Sequence, residues 1–349
     1  MLTKAYYAIK KNHLKKPIYL IHFVTNKCNS KCEHCFYSKS LNLQGKEDLT
    51  LEEIDKFSKQ LGKLVWLTFS GGEPFIREDI DKIYEIYLKN NNPEIFNCPT
   101  NGILTENIIT KTELMLKKRK LKTFSINLSL DGTEEMHNKL RGINCFHKVL
   151  ETYDELIKLK KKYPYLLIRV NTTLSNKNIN SIEEIHNFVK KRMPQINFHS
   201  FDILRGTPKE SSIETPKIED LEKVKPILYK IWDSYHFFGK KHLESHIASK
   251  TTKSLFEISL NILKTNKQPF QCYAGKVHCV LDNNGDIHLC ELLPKVGNIK
   301  ENNFKEIWYS EKAIKQRKSI SNKECTCTHL CFQNTNFMFN LNNWPKMLF

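Results

Sequence analysis

Three cysteines, Cys28, Cys32 and Cys35, form a Cys-x3-Cys-x2-Cys spacing just after an apolar, β-branched run at 18–24. Thiolates are soft ligands that suit iron–sulfur clusters, zinc or copper(I). Three can converge on one centre only if the backbone loops around it, and Asn29, Ser30 and Lys31 suit such a loop. Three ligands fall one short of a closed zinc site. Either His34 folds back as the fourth ligand, or the cysteines hold three irons of a four-iron cluster and leave the last iron open to a small molecule. Six further cysteines, Cys272, Cys279, Cys290, Cys325, Cys327 and Cys331, crowd the C-terminal part. Residues 280–287 read as a hairpin turning at Asn284–Gly285, which would bring Cys272 and Cys290 together. Cys98 and Cys145 stand alone and are expected to be small buried apolar groups.

The elements that must position these residues are legible as an alternation. Runs rich in β-branched or aromatic residues lie at 18–24, 65–70, 95–100, 124–129, 166–172 and 196–204. Stretches of helical spacing lie between them, at 51–61, 79–88, 108–118, 146–162 and 182–191. Thr50, followed three residues later by Glu53, has the spacing of a capping box. Repeated strand–helix alternation predicts parallel βαβ units with right-handed crossovers. Several runs are apolar on both faces, as a sheet covered by helices requires. The expected fold is α/β: a partial (βα)6 TIM-like barrel over 17–217, shorter than the ~250 residues of a full eight-unit barrel. An N-terminal extension (1–16) precedes it. A helical linker (218–268) and a small cysteine-rich domain (269–349) follow.

The distinctive polar segments fall at the C-terminal ends of predicted strands. Ser70–Gly71–Gly72–Glu73–Pro74 ends the second and Asn101–Gly102 the third. Ser129–Leu130–Asp131–Gly132 ends the fourth, with His137 and Arg141–Gly142 beyond it. Asn171 lies near the end of the fifth, and Leu204–Arg205–Gly206 ends the sixth. That rim carries the active site in parallel βα barrels.

Taken in order over residues 17–210, the cysteine motif and these segments resemble the radical S-adenosylmethionine (SAM) superfamily. The resemblance implies that Cys28, Cys32 and Cys35 hold a catalytic [4Fe–4S] cluster whose open iron is chelated by SAM. Reductive cleavage of SAM then gives a 5′-deoxyadenosyl radical that abstracts hydrogen from a substrate. It further implies that His34 packs near the adenine, where many members carry an aromatic. Gly71, Gly72 and Glu73 would receive the SAM ammonium. Ser129 and Asp131 would lie near the ribose and methionine part, Arg141 would pair with the SAM carboxylate, and Asn171 and Leu204 would line the adenosine site.

Cys272-x12-Gly285-x4-Cys290 resembles the opening of the SPASM extension, or of its shorter twitch relative, as do 296–299 and 307–308 farther on. Such extensions hold auxiliary iron–sulfur clusters. The full SPASM pattern has seven cysteines and two clusters. The six here, with a compact late run, imply one auxiliary [4Fe–4S] cluster on Cys272, Cys290, Cys327 and Cys331. Cys325 is an alternative to Cys327, and Cys279 is a spare thiol or a further ligand. The residues alone leave a four-cysteine zinc site open, with His288 and His329 as entrants. The resemblance implies a peptide, protein or small-metabolite substrate and an electron donor such as flavodoxin or ferredoxin. The missing second auxiliary cluster argues against sulfatase-maturase chemistry. Peptide maturases often carry an N-terminal leader-binding domain, for which the residues before the first strand leave little room. Asp202 and Glu291 sit where substrate would approach, with no acid or base role assigned.

The 349 residues, 40% hydrophobic and 27% charged, exclude a disordered, collagenous or membrane-embedded chain. Lys and Arg number 55 against 38 Asp and Glu, a net charge of +17. Such charge invites nucleic acid, and an RNA-modifying radical SAM enzyme is the rival reading. The lysines are dispersed, however, with only short clusters such as 117–120 and 160–162. A non-catalytic iron–sulfur or zinc protein is the third reading, and the intact Gly71–Pro74 segment counts against it. No run is long and apolar enough for a membrane span and no secretory signal is evident, so the expected location is cytoplasmic. His236, His242 and His246 are expected to be exposed helix histidines. Phe332, Phe337, Phe339 and Trp344 are expected to pack over the C-terminal domain.

Overall fold

The structure, a computed structural model, describes residues 16–45, 47–235 and 243–340. His236, His242 and Trp344 lie outside the described residues, as do residues 1–15 of the expected extension.

Six strands follow the predicted alternation: β1 (Tyr19–Thr25), β2 (Trp66–Gly71), β3 (Ile95–Thr100), β4 (Thr123–Ser129), β5 (Leu166–Leu174) and β6 (Phe198–Ile203). The helices between and after them are α1 (Leu51–Gln60), α2 (Ile80–Asn91), α3 (Thr105–Lys118), α4 (Glu134–Arg141), α5 (Phe146–Lys162), α6 (Ile182–Arg192) and α7 (Ile218–Asp233). The β1–β6 strands pair in parallel with their neighbours in sequence order. All six C-terminal ends therefore lie along one rim, which is what gathers the motifs. Thr50 caps α1 through the predicted box: its hydroxyl accepts from Glu53 N–H, and the Glu53 carboxylate accepts from Thr50 N–H.

The sheet is covered by helices on its outer face, and the aromatic residues make the seam. Tyr84 of α2 stands edge-on to Phe96 and Phe124 of adjacent strands, and Phe69 stands edge-on to Phe96. All four are fully buried. Cys98 and Cys145 are buried as expected.

The structure departs from the sequence reading at the opposite edge of the sheet. The predicted hairpin forms as β7 (His278–Leu281) and β8 (Asp286–His288), joined to β9 (Gly297–Asn298). It does not stand apart. β7 pairs in parallel with β1, from Tyr19↔His278 to His22↔Leu281. The result is one sheet of nine strands in the order β6-β5-β4-β3-β2-β1-β7-β8-β9. Within the expected helical linker, α7 is followed by α8 (Leu243–Thr265). Three of its hydroxyl residues bond within the helix: Thr251, Thr252 and Ser259 each donate to the carbonyl four residues back, while Ser249 donates to Asp233.

The C-terminal region adds α9 (Phe304–Trp308), α10 (Glu311–Ser321) and α11 (Leu330–Phe339). Asn303 caps α9 with a second capping box, and Phe304 stands edge-on to Phe57 of α1. Phe332, Phe337 and Phe339 are buried, so the aromatic run does pack over this region.

Candidate active site

The loop carrying Cys28, Cys32 and Cys35 leaves the end of β1 and is pinned from three sides. Asn42 grips the backbone of Cys28, accepting from its N–H at 3.0 Å and donating to its carbonyl at 3.1 Å. Lys31 N–H and Glu33 N–H donate to the carbonyls of Arg141 and Leu140 at the end of α4, each at 3.0 Å. Asn101, beyond β3, donates to Asn29 Oδ1 at 2.7 Å. Nothing local in the sequence singles out Asn42; its role exists only once the loop has closed on it.

The Gly71–Gly72–Glu73 segment is zipped onto the residues just before Cys28. Gly72 N–H donates to Thr25 O and Glu73 N–H to Lys27 O, both at 2.9 Å. There is no room for side chains. A Cβ on Gly71, whose φ is +110°, would stand 2.3 Å from Thr25 O, and one on Gly72 would stand 2.1 Å from Lys27 O. The Glu73 carboxylate is buried and accepts from Thr100 Oγ1 (2.8 Å), Asn101 N–H (2.7 Å) and Phe75 N–H (3.2 Å). Burial raises its carboxyl to about 7 against the pull of those three donors.

Asp131 and Arg141 meet beneath the loop at 2.6 Å, both buried. Arg141 is thus no surface charge. Its other terminal nitrogen lies 3.6 Å from Cys32 Sγ. Asp131 also accepts from Thr173 N–H at 2.8 Å and faces His34 Nε2 at 3.7 Å. Burial opposes the Asp131 charge, yet Arg141, His34 and His137 hold its carboxyl below the ordinary range. Burial pulls His34 down to about 4, so at neutral pH it is an uncharged ring against Asp131. An Asp131→Asn variant leaves Arg141 buried without its counter-charge. We expect it to lose about 3–5 kcal/mol of stability, measurable by chemical denaturation of the apoprotein.

Ser129 and Asn171 are register partners on β4 and β5, and Asn171 Oδ1 accepts from Ser200 Oγ at 2.6 Å. Leu204 lies farther out, packed with Leu140 and Ile213 in a small apolar cluster. His137 accepts from Asp131 N–H through Nδ1, and its Nε2 lies 3.3 Å from Cys145 Sγ. This buried contact escapes a reading of Cys145 as a plain apolar filler.

The donor set fits a cluster. Burial lifts the Cys28 thiol to about 12 and the Cys35 thiol to about 11, with Cys32 adding to both. Cys28 and Cys35, which resist ionisation, become thiolates readily with a strongly cationic metal beside them. Among the described residues, no three His, Cys, Asp or Glu side chains converge tightly enough to hold one metal ion.

In the C-terminal region, Cys272, Cys290, Cys325 and Cys327 form one neighbourhood. Burial raises each thiol, and Cys272 works further against the charged forms of the other three. Cys331, in the first turn of α11, faces Glu291, Arg205, Asp202 and Tyr19 instead. Cys279 is fully buried in β7 and belongs to the core. His288 is tied to Leu293 O at 2.8 Å.

Comparison with known proteins agrees with this geometry. A family model for the radical SAM superfamily matches residues 23–189. A second, for the SPASM iron-sulfur cluster-binding domain, matches residues 272–332. The AdoMet-dependent heme synthase of Methanosarcina barkeri is 25% identical over 84% of this chain and 82% of its own. The cysteine-type anaerobic sulfatase-maturating enzyme of Clostridium novyi is 26% identical over 83% of this chain and 79% of its own. Among solved structures, Streptococcus suis SuiB bound to S-adenosylmethionine superposes with a TM-score of 0.62, at 17% identity, over 89% of this chain and 70% of that one.

The chain belongs to the radical SAM superfamily and carries a SPASM domain. It is an enzyme whose cofactors are SAM and iron–sulfur clusters, bound by the radical SAM core and by the C-terminal SPASM domain. No helix among the described residues is long and apolar enough to cross a membrane.

Proposed function

We propose that this enzyme modifies a peptide or protein by abstracting a hydrogen atom from it, with the modified residue held between the barrel rim and the C-terminal cysteines. When bound, the reduced cluster and SAM supply the radical that takes the hydrogen. The chain's own residues do the positioning. Cys28, Cys32 and Cys35 hold the metal, while Gly71 and Gly72 let the backbone leading into Cys28 close onto the end of β2. Glu73 takes the SAM ammonium. Asp131 and Arg141 stay paired and orient the methionine end, with His34 set as a neutral ring for the adenine. Cys272, Cys290, Cys325 and Cys327 hold the auxiliary cluster.

The observation that carries the peptide reading is the match to a sulfatase-maturating enzyme across both the core and the C-terminal region. A small-metabolite substrate is the second reading, favoured by the equally extensive match to a heme synthase. The test is anaerobic reconstitution with iron and sulfide, then dithionite reduction with SAM and assay of 5′-deoxyadenosine. Wild-type protein is expected to form it and a Cys28/Cys32/Cys35→Ala variant is not. Stimulation by a pool of random peptides, with hydrogen transfer from deuterated peptide into 5′-deoxyadenosine, would support the first reading. Turnover with no such transfer would favour the second.

A further inference from the structure

Where β6 ends, the barrel meets the C-terminal region through charged side chains that the SAM site does not use. Asp202 lies on β6 and Arg205 just beyond it. Opposite them are Glu291, which follows Cys290, and His329, at the residue just before α11. Glu291 Oε2 accepts from His329 Nε2 at 2.7 Å and from Arg205 Nη2 at 3.3 Å. The Arg205 guanidinium also lies 4.5 Å from the centre of the Phe36 ring, next to Cys35. The guanidinium plane is thus held from both sides of the junction.

Hydrogen-bonding capacity at this junction is left unused. Arg205 Nε and Asp202 Oδ1 are both buried atoms with no hydrogen-bond partner. The two residues are close enough to attract one another. Asp202 is otherwise tied to Asn171. His329, fully buried, has an unpartnered Nδ1 in the same cluster. Leaving one such group dry is costly, and native proteins rarely keep several together without a ligand or water to satisfy them.

We propose that Arg205 and Asp202 form a clamp for the main chain of an extended peptide, with Glu291 and His329 as positioning residues for Arg205. The clamp rests on the peptide reading above. Arg205 Nε–H offers one donor and Asp202 Oδ1 one acceptor. One residue of an extended peptide presents its C=O and N–H on the same side, the complement of that pair. A carboxylate-bearing metabolite would suit Arg205 but would be repelled by Asp202.

The test uses the reconstituted, SAM-loaded full chain. A random 12-residue peptide pool is captured on it, the best binder is synthesised, and its affinity is measured by fluorescence anisotropy. Each backbone N–H of that peptide is then N-methylated in turn. Methylation at one residue is expected to weaken binding to wild type about tenfold to a hundredfold. The same methylation should have little effect on an Asp202→Ala variant, which keeps no acceptor there and whose own affinity is already reduced. Arg205→Met should weaken the unmethylated peptide by a similar factor. The N-methyl scan alters only the ligand, so it remains decisive if a variant fails to fold. A captured peptide with no methyl-sensitive residue, or one equally sensitive on the Asp202→Ala protein, overturns the clamp and leaves the peptide reading standing. Failure of wild type to capture any peptide removes the reading itself.

Discussion

A Gly72→Ala substitution reduces 5′-deoxyadenosine formation about a hundredfold or more, while the C-terminal cysteines still load iron. The added methyl has nowhere to go. Its Cβ would stand 2.1 Å from the carbonyl oxygen and 2.6 Å from the carbonyl carbon of Lys27. Both are backbone atoms, so no side chain can swing aside. Relief requires the ends of β1 and β2 to separate by about an ångström, and displacements of that size at a reacting centre cost roughly a hundredfold in rate. The backbone that must yield is the residue immediately before Cys28, so the metal loop moves with it. The measurement is 5′-deoxyadenosine per reconstituted cluster, alongside iron content. A Gly62→Ala variant is the control for handling, since a Cβ there meets only the Lys16 side chain, at 3.8 Å. Wild-type turnover by Gly72→Ala would show that the rim tolerates an opened β1–β2 end.

A Glu73→Gln substitution weakens SAM binding about tenfold to a hundredfold and flattens the pH dependence of stability. Its carboxylate accepts three hydrogen bonds. The amide NH2 of glutamine must face at least one of those donors, leaving a buried N–H or O–H unsatisfied. The charge that the proposed function assigns to the SAM ammonium disappears as well. The pH effect has a definite sign. Burial raises the Glu73 carboxyl from 4.5 to about 7, so the folded state holds this proton more tightly than the unfolded chain. The associated stability is complete below about pH 4.5, declines as pH rises, and is gone above about pH 7. The shift corresponds to something on the order of 3 kcal/mol. Urea titrations of apoprotein across that window should show the decline in wild type and a shallower one in Glu73→Gln. SAM binding should run the opposite way in wild type, tightening as Glu73 ionises. Equal slopes in both proteins would assign the pH dependence elsewhere.

The strands and most helices were legible because each carries its own evidence. The six runs of β-branched and aromatic residues match β1–β6 to within a residue or two, and Thr50–Glu53 announces α1. The rim segments were legible as ordered motifs at strand ends. What was hidden depends on partners remote in sequence. Arg141 at the end of α4 has the same local context whether it points to solvent or inward; only Asp131, brought beneath it by β4, turns it into a buried ion pair. Asn42 acquires its role from the return of the Cys28 loop. Glu291, His329 and Arg205 come from three separate segments and make sense only after the C-terminal region has docked. The same limit hid the continuity of the sheet, since the residues of β7 look like a self-contained hairpin arm.

That continuity bears on how the chain is made. β1 is an interior strand whose neighbours are β2, encoded soon after it, and β7, encoded more than 250 residues later. During synthesis at about 5–20 residues per second, one flank of β1 stays unpaired until nearly the whole chain has emerged. Contacts so distant in sequence also make for slow closure. For all that time an apolar strand edge is open to pairing with other nascent chains. Yield from expression should therefore respond to slower translation and to chaperones that shield strand edges. Shortening the gene to the catalytic motifs alone would leave the polypeptide permanently in its most aggregation-prone form.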